Sequence, residues 1–236
     1  DALWLDGERA HYLSRVMRVR RGDSVVAFNG HGGEYRCNVA DITKQKVLLE
    51  PESHSVPAVE SALSIHLLQG ISRGDRMDAV VQKATELGVQ RISPVSTEHS
   101  VVRLDADRSS RKTGHWQRIA QSACEQCGRN SVPEIDDPAE LSIVLGKVSG
   151  ASRLVLTPGS REPLTQLPRG DDTITLLIGP EGGFSEAECR LALEHDFLPR
   201  SLGPRILRTE TAAIAAISVL QSHFGDLASV ADVPPG

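Results

Sequence analysis

Apolar and polar residues alternate at a short period from residue 1 to about 52. A short strand, Ala2 to Leu5, leads into a basic helical stretch that ends near Met17. DSVVAFN, EYRCNVADI and KQKVLLEPE then alternate around a turn running from Asn29-Gly30 through Gly33, a pattern that predicts hairpin strands. Three to five short strands with one basic helix make a small barrel-like module. SHSVPAVE, Ser53 to Glu60, is polar and carries a proline, and reads as a linker.

From about Ser61 the rhythm changes to strands alternating with helices. SALSIHLLQ predicts a strand. DRMDAVVQKATELG predicts a helix with Met77, Val80, Val81, Ala84 and Leu87 on one face and Gly88 as its stop. RISPVS is the next strand, followed by a long helix from about Asp105 to Cys127 that Gly128 ends. PAELSIVLG predicts a further helix and SRLVLTP a strand. Such alternation implies a mostly parallel sheet with helices on its faces. The last helix, Thr209 to about Phe224, is apolar over most of its surface, so it is expected to be buried, preferentially against another subunit.

Two segments near the C-terminal end stand out. TITLLIGPEGGFSEAE, Thr173 to Glu188, opens as a β-branched run long enough for a strand buried on both faces. It breaks at Gly179-Pro180, passes Gly182-Gly183, and restarts at Ser185, three residues before Glu188, as a capped helix. LGPRILRTETAA, Leu202 to Ala213, repeats the logic, with a short strand at Phe197 to Ser201, a break at Gly203-Pro204 and a helix from about Thr209. Glycine lacks a Cβ, so a ligand can lie directly on the main chain. Such turns sit at the carboxyl ends of strands, where open α/β sheets bind ligands. The pair predicts one small-molecule pocket built largely from backbone, with charged residues (Glu181, Arg205, Arg208, Glu210) that a mere turn does not need.

Composition narrows the field. The 236 residues allow one domain or two, and 39% hydrophobic with 24% charged content is that of an ordinary globular protein. No apolar run approaches a membrane span. The chain opens DALWLDGERAHYL, without a signal-peptide pattern and without an initiator Met, so native residues are expected to precede it and the cytosol is the expected location. Cys124 and Cys127 form a CxxC, but inside a helical run and without a second pair, and the histidines show no HxxxH or HExxH spacing. No metal site is expected, and both thiols are expected to pack on one helix face.

The net charge of −5 argues against nonspecific coating of nucleic acid. Five arginines nevertheless fall between Arg9 and Arg21 with no acid among them, and six basic residues lie between Arg103 and Arg129 against three acids. The two patches favour a phosphate-bearing partner. With two Trp, two Tyr and four Phe, a base-stacking sheet is not expected.

GISRG, Gly70 to Gly74, fits the nucleophile-elbow spacing of a serine hydrolase, with Ser72 as nucleophile and His31-Gly32-Gly33 as a faint oxyanion loop. The elbow would follow the first strand of its sheet, and its neighbours are Arg73, Asp75 and Arg76, which disfavours that reading. Neither GxGxxG nor GxxxxGK[ST] occurs, so dinucleotide and P-loop sites are excluded.

LLIGPEGGFSEAE with LGPRILRTETAAIAAI closely resembles the paired signatures of the RsmE family, bacterial SPOUT-class methyltransferases acting on small-subunit ribosomal RNA. ISRGDRMDAVVQKATELGVQRISPV, WQRIAQSACEQCGRNSVPEI and, more weakly, HYLSRVMRVRRGD extend the resemblance over nearly the whole chain. The resemblance implies an α/β protein with an N-terminal PUA-like RNA-binding β-barrel, residues 1–56, and a C-terminal SPOUT α/β domain, residues 61–236, tied in a trefoil knot. It implies a homodimer, S-adenosylmethionine as methyl donor, and methylation of one uridine at N(3) in 16S ribosomal RNA, free or in the small subunit; membrane and DNA partners are not implied. A non-catalytic RNA-binding protein of the same fold is the competing class. The chain departs from the family pattern at His99, where an Arg is more usual.

Under that resemblance the donor falls to Pro158, Leu177, Ile178, Gly179, Pro180, Gly182, Gly183, Ser201, Leu202, Gly203, Ile206 and Leu207, through amides and apolar packing. Arg208 is the expected stabiliser of a uracil anion. Glu210 or Glu181 is the expected base, although an acid in the first turn of a helix, as Glu210 is, also has a purely structural use. Arg15, Arg18, Arg20, Arg73, Arg76, Lys83, Arg103, Gln126, Arg129 and Asn130 are the RNA-binding candidates.

Overall fold

The computed structural model describes residues 2–100, 106–148, 152–167 and 172–228. The chain divides into two compact units, residues 1–59 and 60–236.

In the first unit, β1 (Leu3–Asp6) runs into α1 (Gly7–His11) and a π-helical turn, Tyr12–Val16. Strands β2 (Ser24–Ala27), β3 (Glu34–Ile42) and β4 (Lys46–Ser55) complete an antiparallel sheet of order β1-β4-β3-β2 among the described residues. Alternation sends Cys37, Val39, Val47 and Leu49 inward, where they pack around Ala10 of α1. Register shifts at Arg36/Cys37 and Val39/Asp41 mark bulges, which bend a sheet and increase its twist. The expected linker begins later than its composition suggests, because Ser53 to Ser55 still pair with β3.

The second unit is an α/β layer structure. Its strands are β5 (Ser64–Gly70), β6 (Arg91–Ser96), β7 (Glu134–Ile135), β8 (Ala139–Glu140), β9 (Ser152–Leu156), β10 (Thr173–Ile178) and β11 (Leu198–Arg200). Interleaved are α2 (Arg76–Glu86), α3 (Ala106–Cys127), α4 (Leu141–Leu145), α5 (Glu186–Glu194) and α6 (Thr209–Phe224). The order is β11-β9-β10-β5-β6-β7, with β8 also on β6, and every pairing is parallel. Odd and even residues of the strands feed two cores. Ile65, Leu67, Ile174, Leu176 and Ile178 pack with α2, α3 and α6, whereas Leu68, Val95, Leu177 and Phe197 pack with α4 and α5. Helix α6 buries Ala213, Ala216, Ile217 and Leu220 within the unit, while Ile214 and Val219 are half-buried.

Several expectations fail on burial. Arg129 is only 5% exposed. Its guanidinium grips Glu60 at 2.7–3.2 Å and donates to the carbonyls of Thr85 (2.7 Å) and Val89 (3.0 Å), which closes the C-terminal end of α2. Buried and held by these bonds, it does not present its guanidinium to RNA, and Glu60 belongs to this interior rather than to a linker. Asn130 is likewise buried and cannot read a base edge. Cys124 is buried, with its thiol pKa pushed up to about 12 chiefly by burial, but Cys127 is exposed, so the pair does not pack together. No metal-holding cluster occurs among the described residues.

His66 lies 2.7 Å from the Ser93 hydroxyl, which itself donates to Asp136. That hydroxyl proton is committed, so Nε2 of a neutral His66 is the donor to Ser93. Burial first, and then the charge of Arg91, push the His66 pKa down to about 4 against the pull of Asp136.

Two outcomes follow. Arg129→Ala leaves Glu60 and two carbonyls without their partner and is expected to lower unfolding stability by about 3–5 kcal/mol, measured in urea, while the exposed Arg15→Ala changes it by no more than about 0.5 kcal/mol. The unfolded chain protonates His66 near 6.5 but the folded one only near 4, so the native state binds fewer protons in between. Stability therefore falls as pH drops through that window. His66→Gln should flatten this part of the profile, and an unchanged slope would remove His66 as its source.

Candidate functional site

A cavity of about 680 Å3 opens at the carboxyl ends of β9, β10 and β11. Three loops wall it: Thr157-Pro158 after β9, Gly179 to Phe184 after β10, and Ser201 to Leu207 after β11. A volume of this size is typical of small-molecule sites. The apolar lining comes from Leu156, Ile178, Phe184, Leu202 and Ala212, and Ile206 stands 85% exposed at the mouth.

The loops hold their shape through the main chain. The Gly70 carbonyl accepts a hydrogen bond from the Gln69 amide, which also donates to the Thr209 hydroxyl at 2.9 Å; that hydroxyl donates to the Gly179 carbonyl at 2.7 Å. Gly70 itself abuts Gly179-Pro180: a Cβ there would lie 2.4 Å from the Pro180 nitrogen. Gly183 (φ 68°) and Gly203 (φ 87°) adopt left-handed backbone and border the cavity, where an added Cβ would meet nothing. The third wall is pinned by Ser201, whose amide donates to the Glu162 carbonyl (2.9 Å) and whose carbonyl accepts from Leu164 (3.1 Å). Ser185 and Glu188 form the expected capping box at the start of α5.

Charged residues also border this backbone cradle. Arg76, Glu181, Arg200, Arg205, Arg208 and Glu210 all line it. Glu181 accepts from the Arg73 amide at 3.1 Å and closely from the Arg76 guanidinium. Burial raises its pKa, but hydrogen bonds from its own amide, Arg73 and Arg76 outweigh that and hold the carboxyl below its ordinary value. Arg76 Nε also lies 4.0 Å from Glu210. Two buried atoms here lack a hydrogen-bond partner among the described residues, Arg200 Nε and Glu210 Oε2.

Most of the expected pocket residues meet at this cavity: Pro158, Ile178, Gly179, Pro180, Gly183, Ser201, Leu202, Gly203, Ile206 and Leu207, with Glu181, Arg208 and Glu210. Two do not. Leu177 is fully buried and faces the α4/α5 core, the opposite side of β10 from Ile178. Gly182 packs against His99, whose Cβ would be 2.8 Å from a Cβ at that position, and its carbonyl lies 3.0 Å from His99 Nδ1. His99 thus braces the loop.

Of the RNA candidates in this unit, Arg73 and Gln126 are exposed, Lys83 pairs with Glu86 at 2.8 Å, and Arg76 is engaged by the cavity carboxylates. Arg15, Arg18 and Arg20 are exposed on the first unit, and Arg103 lies outside the described residues. Sequence reasoning missed Arg200, Thr157, Phe184 and Cys189 as lining residues. Cys189 carries no nucleophilic promise, since burial and then Glu188 and Glu186 raise its pKa. The serine-hydrolase reading fails: the Ser72 hydroxyl is buried, donates to the Gly70 carbonyl, and has no histidine partner among the described residues.

Known proteins share this arrangement. Residues 59–221 match the RNA methyltransferase domain and residues 5–52 the RNA methyltransferase PUA domain. Ribosomal RNA small subunit methyltransferase E of Buchnera aphidicola (Schizaphis graminum strain) is 36% identical over 92% of this chain and 89% of its own, and that of Bacillus subtilis 31% over 92% and 88%. A Legionella pneumophila protein considered a methyltransferase, solved with its bound cofactor SAM, superposes with a TM-score of 0.92 at 41% identity, covering 96% of this chain and 94% of that one. Ribosomal RNA small subunit methyltransferase E of Neisseria gonorrhoeae, bound to S-adenosyl methionine, gives 0.91 at 35% over 96% and 94%.

Gly70→Ala is expected to force the Gly179-Pro180 turn outward and to cost about 1–3 kcal/mol, as overpacking does. Urea unfolding checks this, and wild-type stability would mean that the turn yields freely.

Proposed function

This chain belongs to the RNA methyltransferase family that includes ribosomal RNA small subunit methyltransferase E, and we propose that it methylates N(3) of one uridine in 16S ribosomal RNA with S-adenosylmethionine as donor. The observation that carries this reading is the backbone-walled cavity at the carboxyl ends of β9, β10 and β11.

The residues suit the donor. A flat apolar base has Leu156, Ile178 and Phe184 beside it, polar edges have loop amides and carbonyls, and the partnerless Arg200 Nε–H matches an anionic or hydroxyl oxygen. Pro158, Ile178, Gly179, Pro180, Gly183, Ser201, Leu202, Gly203, Ile206 and Leu207 would hold it. The donor supplies an electrophilic methyl group on a sulfonium. Attack by a uracil anion merges opposite charges, so strong hydration would favour the reactants over the transition state. Walls of glycine, proline and aliphatic residues exclude that water. Arg208 offsets charge on a uracil carbonyl oxygen, and Glu210 or Glu181 takes the N(3) proton.

RNA is met through phosphates by Arg15, Arg18 and Arg20 of the first unit and Arg73 of the second, with Gln126 able to reach a base edge. The N-terminal sheet, bent by its two bulges, is read as a PUA-like barrel, residues 1–56, and residues 61–236 as the SPOUT domain. The trefoil knot is supported by three loops converging on one cavity before α6 runs back against α2. A homodimer is supported by the half-buried Ile214 and Val219 of α6 and the exposed Phe224. Among the described residues no helix is long and apolar enough to cross a membrane, and a ribosomal substrate would put the protein in the cytoplasm.

Calorimetry with S-adenosylmethionine separates this reading from a non-catalytic RNA-binding protein, which would not bind the donor. Mapping the methylated base on small subunits from cells lacking the protein tests the rest. Arg208→Ala is expected to lower turnover by about 10²–10³-fold, as loss of an anion-stabilising donor does, with donor affinity nearly unchanged; an equal loss of both would make Arg208 a binding residue.

A further inference from the structure

We infer that Glu210, rather than Glu181, takes the uridine N(3) proton, and that Arg76 is the positioning residue that gives the two carboxylates different roles. This rests on the uridine-methylation reading above.

Both carboxylates line the cavity, but their surroundings differ. Glu181 Oε1 already accepts the Arg73 amide and the Arg76 guanidinium. A carboxylate stabilised by that many donors is a weak proton acceptor. It anchors Arg76. Glu210 is the second residue of α6, and its Oε2 is shielded from solvent with no partner among the described residues. Its other oxygen, Oε1, lies 4.0 Å from Arg76 Nε. A helix N-terminus favours an acid in its first turn wherever the side chain points. Leaving one oxygen buried and bare is a further cost, because buried polar atoms are nearly always paired. No hydrogen bond among the described residues holds that carboxyl group, so rotation about its last bond brings the bare oxygen to the cavity, where it accepts a proton from the substrate. Arg76, held by Glu181, keeps a positive charge beside the opposite oxygen and so fixes the face that Glu210 presents.

In the step itself the N(3)–H bond breaks heterolytically and the proton passes to Glu210 Oε2, turning carboxylate into carboxylic acid. The electron pair stays on the ring nitrogen, which bonds the methyl carbon while the carbon–sulfur electrons leave onto sulfur. The acid returns its proton to water after the product departs.

The test uses the full chain and small subunits from cells lacking the protein, carrying either uridine or 5-fluorouridine, whose N(3)–H is more acidic. Glu210→Gln is expected to lower turnover on uridine by about 10²–10⁴-fold, the usual worth of a general base. Donor affinity by calorimetry and thermal stability should hold, and most of the loss should vanish on 5-fluorouridine. Glu181→Gln and Arg76→Ala, which act through Glu210, should lose less turnover than Glu210→Gln, with that loss also relieved on 5-fluorouridine and without a higher KM for the donor, and Arg76→Lys should recover much of it. Wild-type turnover by Glu210→Gln, or a loss that 5-fluorouridine does not relieve, overturns the assignment. A larger loss and fuller relief with Glu181→Gln than with Glu210→Gln reverses it. If the wild-type protein makes no N(3)-methyluridine at all, the methylation reading fails first and the inference with it.

Discussion

The site depends on one close approach of bare backbone. At the end of β5, Gly70 lies so near Gly179-Pro180 that no side chain fits between them. The Gln69 amide and Thr209 hydroxyl then stitch the ends of β5 and β10 to the start of α6. These contacts stop β10 where the cavity begins, and they set where the helix bearing Glu210 starts. Hydrogen bonds of about 1 kcal/mol each contribute modestly to stability. Their use is geometric, since they join three chain segments that lie far apart in sequence.

That junction sits on a rigid base. Strand β10 is covered on both faces, and its neighbours β5 and β9 pair with it in parallel, so the loops after them emerge at one edge. Close-packed interiors deform little. The loops can therefore carry glycine in left-handed backbone without collapsing, and the cavity is largely preformed. Burial elsewhere offsets the polar atoms left bare at its wall.

Much of this was legible in the chain. Two apolar runs broken by Gly-Pro announce strand ends beside naked turns, and period changes at Ser61 separate the sheet of hairpins from the α/β layers. What was not legible has physical reasons. A strand buried on both faces reads as an unbroken apolar run, so its pleat gives no sign that Ile178 meets the cavity while Leu177 meets α4 and α5. Gly182 resembles a ligand-facing glycine until His99 arrives from another loop. Arg129 belongs to a basic stretch in sequence, yet its partner Glu60 is 69 residues away and takes it into the interior. Charge runs report composition; only the fold reports which charges reach solvent.

The placement of unpaired atoms tells the same story from the opposite side. Folding leaves few buried polar atoms without a partner. Of the five found among the described residues, two belong to Arg200 and Glu210, which line the cavity, and Gln69 Oε1 belongs to the network behind it. One is a donor and one an acceptor, so neither an anion nor a cation alone would satisfy both. A site that meets a donor molecule and a nucleobase together needs both kinds of group held in readiness. At Arg129 and Glu60, away from the cavity, nearly every donor finds an acceptor. Asn130 Nδ2 and Thr175 Oγ1 are bare as well but do not line the cavity, so it is bare groups beside an open volume, not bare groups alone, that mark a surface kept for ligands.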